Sequence, residues 1–296
     1  MNRTHLTLLA LIVSLFIARA AAAGDFASEM LDATFKLSHP DSTATCFLVR
    51  RDDSDKGRYL VTAAHTLEKT KGETVILVLR KAKPDGSFER VEHKIQVRRE
   101  NKPLWVRHEK QDAAALRLVE PLPVNVPALP MTALADEAKL KAARVHICSS
   151  LFVLTFPQRF EANPAGFPVA RQGIFASPPL LPAAAHPTFH GDFTTFAGDS
   201  GGPVFIDGGD QHPIVVGIVI AQSNIDERSK SEYEERMVRR PLGLGIILHA
   251  SYLRETVEAA AKRFEKEQEA KATKPGENKP GETKPSDTKP GETKPK

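Results

Sequence analysis

Gly198-Asp199-Ser200-Gly201-Gly202-Pro203 is the stretch on which the reading of this chain turns. A serine hydroxyl is a weak nucleophile at neutral pH. It becomes useful with a base beside it and with fixed donors where negative charge develops. The surrounding glycines suit the second need. Without side chains, Gly198, Gly201 and Gly202 can take backbone conformations closed to other residues, and they let a carbonyl approach the N–H groups of Gly198 and Ser200. Pro203 leads into Val204-Phe205-Ile206, an apolar run able to anchor the loop on a buried strand. A Gly/Ser string is also ordinary turn chemistry, so the decision lies upstream.

Residues 59–65 read Tyr-Leu-Val-Thr-Ala-Ala-His, an apolar strand ending in two small residues and His65. The small residues leave room for the imidazole to turn inward. A histidine alone is more often a surface or core residue than a catalyst. Asp112 changes that context: it heads the largely apolar Ala113-Ala114-Ala115-Leu116, where a carboxylate is costly without a partner, and His65 is the partner expected.

In the order His65, Asp112, Ser200, these segments resemble the chymotrypsin/trypsin-like serine peptidases. That family's motifs are TAAH, an Asp-Ile-Ala-Leu-like strand and GDSGGP. Thr62-Ala63-Ala64-His65 and the Ser200 hexapeptide match letter for letter, and the likeness spans roughly residues 30 to 260. It implies an all-β fold: two six-stranded antiparallel β-barrels followed by a C-terminal helix. It further implies that His65 is the general base, that Asp112 orients it, and that Ser200 attacks the carbonyl. Gly198 and Ser200 would supply the oxyanion N–H groups. The activity implied is that of a secreted serine endopeptidase working through an acyl-enzyme on protein or peptide substrates, without metal or organic cofactor. The alternative on the same fold is a catalytically silent binding or chaperone-like protein.

The resemblance also assigns a substrate site. Thr194, six residues before the nucleophile, falls where the family floors its primary pocket, and trypsin-type enzymes carry aspartate there. Ile220-Ala221-Gln222 falls on the strand that pairs with the substrate backbone, with Gln222 where many relatives have glycine. A neutral pocket offers a basic side chain no countercharge, so cleavage after small or medium apolar residues is expected. Asp199 marks a departure. In zymogen-derived relatives this aspartate pairs with a newly released N-terminus, yet no Ile-Val-Gly-Gly-like sequence follows residue 23. The chain looks more like the bacterial trypsin-like type, without a PDZ domain. Either Asp199 is satisfied internally or its loop is ordered by another route.

Working outward, residues 1–23 carry Arg3, an apolar run from Leu6 to Ile17 and Ala21-Ala22-Ala23, the pattern of a secretory signal cleaved before Gly24. The expected location is therefore secreted or periplasmic, with no integral membrane segment after signal removal. Two cysteines, Cys46 and Cys148, sit in apolar, strand-like runs and read as buried free thiols or at most one disulfide. The expected organisation places the first barrel at 24–120, a proline-rich linker with a short helix at 121–144, the second barrel at 145–250 and a helix at 251–270. Pro84-Asp85-Gly86-Ser87 signals a hairpin in the first barrel. From 271 to 296 the composition turns to Lys-Pro-Gly-Glu-Thr repeats, which cannot build a core and imply a solvated, disordered tail. A formal net charge of +4, part of it in the tail, gives no warrant for nucleic-acid binding. The histidines show no HExxH spacing, and a metal-dependent hydrolase is disfavoured. Oligomeric state has no sequence signal here.

Overall fold

The computed structural model describes residues 25–51, 57–178, 180–209, 212–230 and 234–272. The expected signal segment, and all of the expected tail beyond Ala272, lie outside them. The described chain opens with helix α1 (Phe26–Ala33), capped by Asp25, whose carboxylate accepts from Ser28 N–H at 2.7 Å. It continues through β1 (Thr34–His39), β2 (Ser42–Arg50), β3 (Arg58–Thr62), the short helix α2 (Ala64–Lys69), β4 (Thr74–Ala82) and β5 (Phe88–Gln96). Two-residue strands β6 (Arg98–Arg99), β7 (Lys102–Pro103) and β8 (Val106–Arg107) precede β9 (Ala114–Leu118). β1 to β5, β8 and β9 build the first barrel, with strand order β5-β4-β1-β2-β3-β9-β8, while β6 and β7 pair only with each other. Its six longer strands are the expected ones. β8 and the two-residue β10 (Leu129–Pro130), parallel to β2, are short additions. β4 and β5 pair up to Ala82↔Phe88 across the Pro84–Ser87 turn.

The second barrel takes β11 (Ser150–Thr155), β12 (Val169–Ile174), β13 (Thr188–Asp192), β14 (Pro203–Asp207), β15 (Pro213–Lys230) and β16 (Glu235–His249), in the order β12-β11-β14-β15-β16-β13. A bridge between Phe175, directly after β12, and Gly191 of β13 joins the first strand to the last and closes the sheet. Helix α3 (Glu137–Ala142) lies between the barrels in sequence, and α4 (Ala250–Ala272) follows β16 directly.

β2 shows how the two barrels share a wall. Alternate residues point to opposite faces of a strand. Cys46 and Leu48 enter the first barrel's core with Phe35, Leu60, Leu77 and Trp105, while Phe47 and Val49 join the larger core of the second barrel with Val153, Phe205, Val215 and Ile247. A strand buried on both faces reads as a continuous apolar run, as Cys46-Phe47-Leu48-Val49 does. α4 lays Leu253, Val257, Ala260 and Ala261 onto this core. The guanidinium of Arg117, on β9, sits 3.8 Å above the Phe264 ring.

The segment 121–144 carries the expected short helix, α3, and is packed down along its length: Leu129, Met131 and Leu134 are buried in the core, and Leu134 bridges to Val215. Residues 145–148 do not form a strand. Cys148 adopts φ +69° and is exposed, because the chain turns there before β11 begins. Both cysteines are free, and Cys46 is buried. Burial pushes the Cys46 thiol well above its ordinary value against the opposing charge of Arg80. Accordingly, a thiol reagent such as iodoacetamide should modify Cys148 alone in the native protein and both cysteines after denaturation, a difference read directly by intact mass.

Candidate active site

β3 ends at Thr62, and Ala63 and Ala64 are fully buried, so the chain enters α2 against the barrel with His65 in its first turn. Hydroxyls fix this corner. Thr62 Oγ1 donates to the Thr45 carbonyl at 2.8 Å, and Thr66 Oγ1 donates to the Ala63 carbonyl at 2.7 Å. Asp112 lies just before β9, which pairs with β3, so strand register brings it beside His65. Its carboxylate takes the His65 backbone N–H on Oδ1 at 2.9 Å and faces Nδ1 with Oδ2 at 2.6 Å. The other ring nitrogen, Nε2, lies 3.0 Å from Ser200 Oγ, in the loop between β13 and β14. The structure therefore brings His65, Asp112 and Ser200 together across the two barrels.

An ionised carboxylate only accepts hydrogen bonds, so Nδ1 carries the imidazole proton and Nε2 turns its lone pair toward the Ser200 hydroxyl. Burial pushes the Asp112 carboxyl upward. Hydrogen bonds from the His65 ring and backbone, with the charges of His65 and Arg107, outweigh that effect and hold it below the usual carboxylate range. A carboxyl with a lower pKa folded than unfolded binds fewer protons in the native state, so its stabilisation is present above the unfolded value and is lost as pH falls through the folded one. Asp112→Asn should thus be less stable than the parent at neutral pH, with the gap closing below about pH 4. Urea midpoints measured against pH would show it; a gap that stays constant in acid would refute the assignment.

The loop that carries Ser200 is held from several sides. Thr45 N–H donates to the Ser200 carbonyl at 3.0 Å, and Thr45 Oγ1 donates to the Gly198 carbonyl at 2.9 Å, so β2 of the first barrel grips a loop of the second. Gly201 N–H bonds to the Val219 carbonyl at 2.8 Å, and Val219 N–H bonds to the Gly202 carbonyl at 3.0 Å. Two glycines are required here. Gly198 has φ +101°, and a Cβ on it would stand 2.3 Å from the Phe156 carbonyl oxygen; Gly201 has φ +83° and would collide with Thr62 Oγ1 at 2.1 Å. Among the described residues, the N–H groups of Gly198 and Ser200 have no acceptor, which leaves both free to donate to an incoming oxygen.

Sequence reasoning left the partner of Asp199 open, and the structure supplies Arg171 of β12. The Asp199 side chain is about 1% exposed, and its Oδ2 accepts from Arg171 Nη2 at 2.7 Å and from Phe196 N–H at 2.8 Å. Arg171 is itself positioned by Thr155 Oγ1 at 2.6 Å and by the Thr194 carbonyl. A buried aspartate demands a countercharge, but nothing in Val169-Ala170-Arg171-Gln172 distinguishes Arg171 from an ordinary outward-facing residue of a strand.

The residues expected to bind substrate are placed as follows. Thr194 is exposed, whereas Phe193 and Thr195 on either side of it are buried. The Phe193 ring and the Thr195 methyl fill the space over Gly245 of β16, approaching within 3.0 and 2.9 Å of where its Cβ would be. Ile220 is half-buried, and Ala221 and Gln222 are exposed on β15 opposite Ile246 and Gly245. Among the described residues no cluster of His, Cys, Asp and Glu is arranged to hold a metal ion, and no helix is long and apolar enough to cross a membrane.

A family model for the trypsin-like peptidase domain matches residues 44–218. A search of curated proteins finds no match. Among solved structures, the inactive form of a serine-to-alanine mutant of Rv3671c from M. tuberculosis H37Rv is similar at a TM-score of 0.43 and 15% identity, covering 87% of this chain and 95% of that one. The inactive form of the Rv3671c protease is similar at 0.43 and 16%, covering 79% and 91%.

Proposed function

The chain belongs to the trypsin-like peptidase domain family, and from that premise we propose that it is an exported serine endopeptidase whose catalytic residues are His65, Asp112 and Ser200. The observation that carries this reading is the continuous relay Asp112 Oδ2 to His65 Nδ1 at 2.6 Å and His65 Nε2 to Ser200 Oγ at 3.0 Å. Ser200 Oγ attacks the scissile carbonyl as His65 Nε2 takes its proton, and Asp112 holds the ring and stabilises the imidazolium that forms. The tetrahedral oxyanion is received by the N–H groups of Gly198 and Ser200. Collapse expels the amine, protonated by His65, and leaves an acyl-enzyme that water then cleaves with His65 again as base.

The site needs no new N-terminus to order it, because Arg171 already occupies the role of countercharge to Asp199. With the Phe193 ring and the Thr195 methyl filling the space over Gly245, the primary pocket suits small apolar side chains. Export rests on the signal-like residues 1–23.

A fluorophosphonate probe applied to residues 24–296 tests the proposal. The adduct should map by mass spectrometry to Ser200 and be absent from Ser200→Ala. A folded protein that takes up no label would instead favour a catalytically silent binding protein on this fold.

A further inference from the structure

We propose that His108 is a positioning residue for the reaction: it docks the turn that carries Asp112 onto the C-terminal helix α4, so that the carboxylate meets the His65 ring. The inference rests on the peptidase reading above and makes α4 part of the support on which the site depends.

Asp112 lies in the turn 108–113 that joins β8 to β9. After it the chain is secured by Ala113 and Ala114, both fully buried. Before it stand Glu109, Lys110 and Gln111, and no apolar side chain among them fixes the course of the chain. His108 supplies what they lack. Its side chain is 12% exposed, although Arg107, Glu109 and Lys110 around it are exposed. Its backbone N–H donates to the Ala113 carbonyl at 2.9 Å and closes the turn. Its Nδ1 accepts from the N–H groups of Lys110 and Gln111 at 3.2 and 3.1 Å. A ring nitrogen that accepts carries no proton, so the proton sits on Nε2, which donates to Glu255 Oε2 of α4 at 2.9 Å. Tyr252, on the same face of α4 as Glu255, meets the imidazole edge-on with ring centroids 5.3 Å apart. The Tyr252 hydroxyl in turn donates to the Ala183 carbonyl at 2.8 Å. One imidazole thus gathers the turn on one side and α4 on the other.

Arg107 grips the same turn from the solvent side. Its Nη1 donates to the His108 and Gln111 carbonyls at 2.9 and 3.3 Å, and its Nε donates at 2.7 Å to Glu68 of α2, the helix that carries His65. That ion pair is half-exposed and contributes little by itself, so the firmer hold is the one His108 makes beneath the surface. The geometry it protects is narrow. Asp112 Oδ2 faces His65 Nδ1 at 2.6 Å, and a displacement of about 1 Å on this scale costs up to about a hundred-fold in rate.

The test reads His108→Ala, His108→Asn and Glu255→Ala in the full mature chain. His108→Ala should lower kcat on casein and the rate of fluorophosphonate labelling by about 10- to 100-fold, with KM within about two-fold of the parent, because no substrate contact changes. The downfield proton resonance of His65 Nδ1–H, assigned by its absence from His65→Ala, should weaken or vanish in the same variant. His108→Asn offers an amide oxygen in place of Nδ1 as acceptor for the turn but cannot reach Glu255, so it should recover part of the loss. Glu255→Ala, at a side chain 62% exposed, leaves the core untouched and should match His108→Asn; combining the two should cost no more than either alone. Parent-like labelling and an unchanged resonance in His108→Ala overturn the inference even where the variant melts early, since the role is then structural only. Parent-like behaviour of Glu255→Ala beside an impaired His108→Ala overturns it too, because the turn is then held without α4. So does a parent that lacks the resonance, since the bond that His108 serves is then not made. The resonance does not require turnover. If the variants lose it in a parent that takes up no label, the peptidase reading fails alone; if the parent labels and the variants keep both signals, the inference fails alone.

Discussion

Ser200→Ala should lower kcat by about 10⁵ to 10⁶-fold and leave the thermal midpoint within a few degrees of the parent. The effect is large because, in the proposed mechanism, the hydroxyl forms the covalent bond; what would remain is the catalysis that the oxyanion donors and binding provide alone. The stability change is small because Ser200 is only partly buried and its Oγ contacts the ring of a half-exposed His65. The loop hangs on main-chain bonds from Thr45, Gly201 and Val219, none of which involves the hydroxyl. His65→Ala should cost a similar factor, and combining the two should cost little more than either, since nucleophile and base act as a unit. Steady-state kinetics on a cleavable protein such as casein, alongside calorimetry, would check both halves. Parent-like turnover in either variant would remove these residues from the mechanism. Additive losses would refute the shared relay.

The three side chains that meet at the candidate site stand out in the sequence because each sits in a segment whose local chemistry is unusual: glycines around a serine, a histidine behind two alanines, an aspartate heading an apolar strand. The barrels were legible because apolar strands such as 46–49 and 59–61 alternate with turn residues. What escaped depends on distance in sequence. Arg171 is 28 residues from Asp199, and its meaning comes from the strand pairing that brings β12 near the loop of Ser200. The β15–β16 ribbon escaped because residues 222–240 lack an apolar alternation: it extends beyond the core, so no buried face imposes a pattern on it. Helix α1 was missed although Asp25 and the spacing of Phe26, Met30 and Ala33 carry its signal, since eight residues directly before a strand are easily absorbed into it. Cys148 shows the converse error, an apolar run made strand-like by composition and turned outward by a positive φ.

Arg171→Met should lower kcat by at least about a hundred-fold although the side chain touches none of the reacting atoms, and it should cost about 3 kcal/mol of stability. The Asp199 carboxylate is shut away from water, and Arg171 Nη2 and the Phe196 N–H are the donors it has among the described residues. Removing the guanidinium leaves a buried charge without its counterion, a penalty that a surface pair would not incur. The chain can relieve it by protonating Asp199 or by turning the carboxylate out to solvent. The second route drags residues 196–200 with it, and with them the Gly198 and Ser200 N–H groups that an oxyanion must find already in place. The loss should therefore appear in kcat and in the rate of fluorophosphonate labelling, with His65 and Ser200 chemically intact. Arg171→Lys should recover part of the activity, since an ammonium supplies charge but not the fork that also reaches Thr155 and Thr194. A double variant, Arg171→Met with Asp199→Leu, separates the two consequences: removing both charges should restore most of the stability while turnover stays low, because residues 196–199 then lose their side-chain anchor and keep only the main-chain and Thr45 bonds. If Arg171→Met retains parent-like labelling, the pair is merely structural and the loop is ordered by its main-chain bonds to β2 and β15. If it loses labelling while melting like the parent, the penalty falls on the active conformation alone, and Arg171 is the positioning residue that replaces an N-terminal activation step.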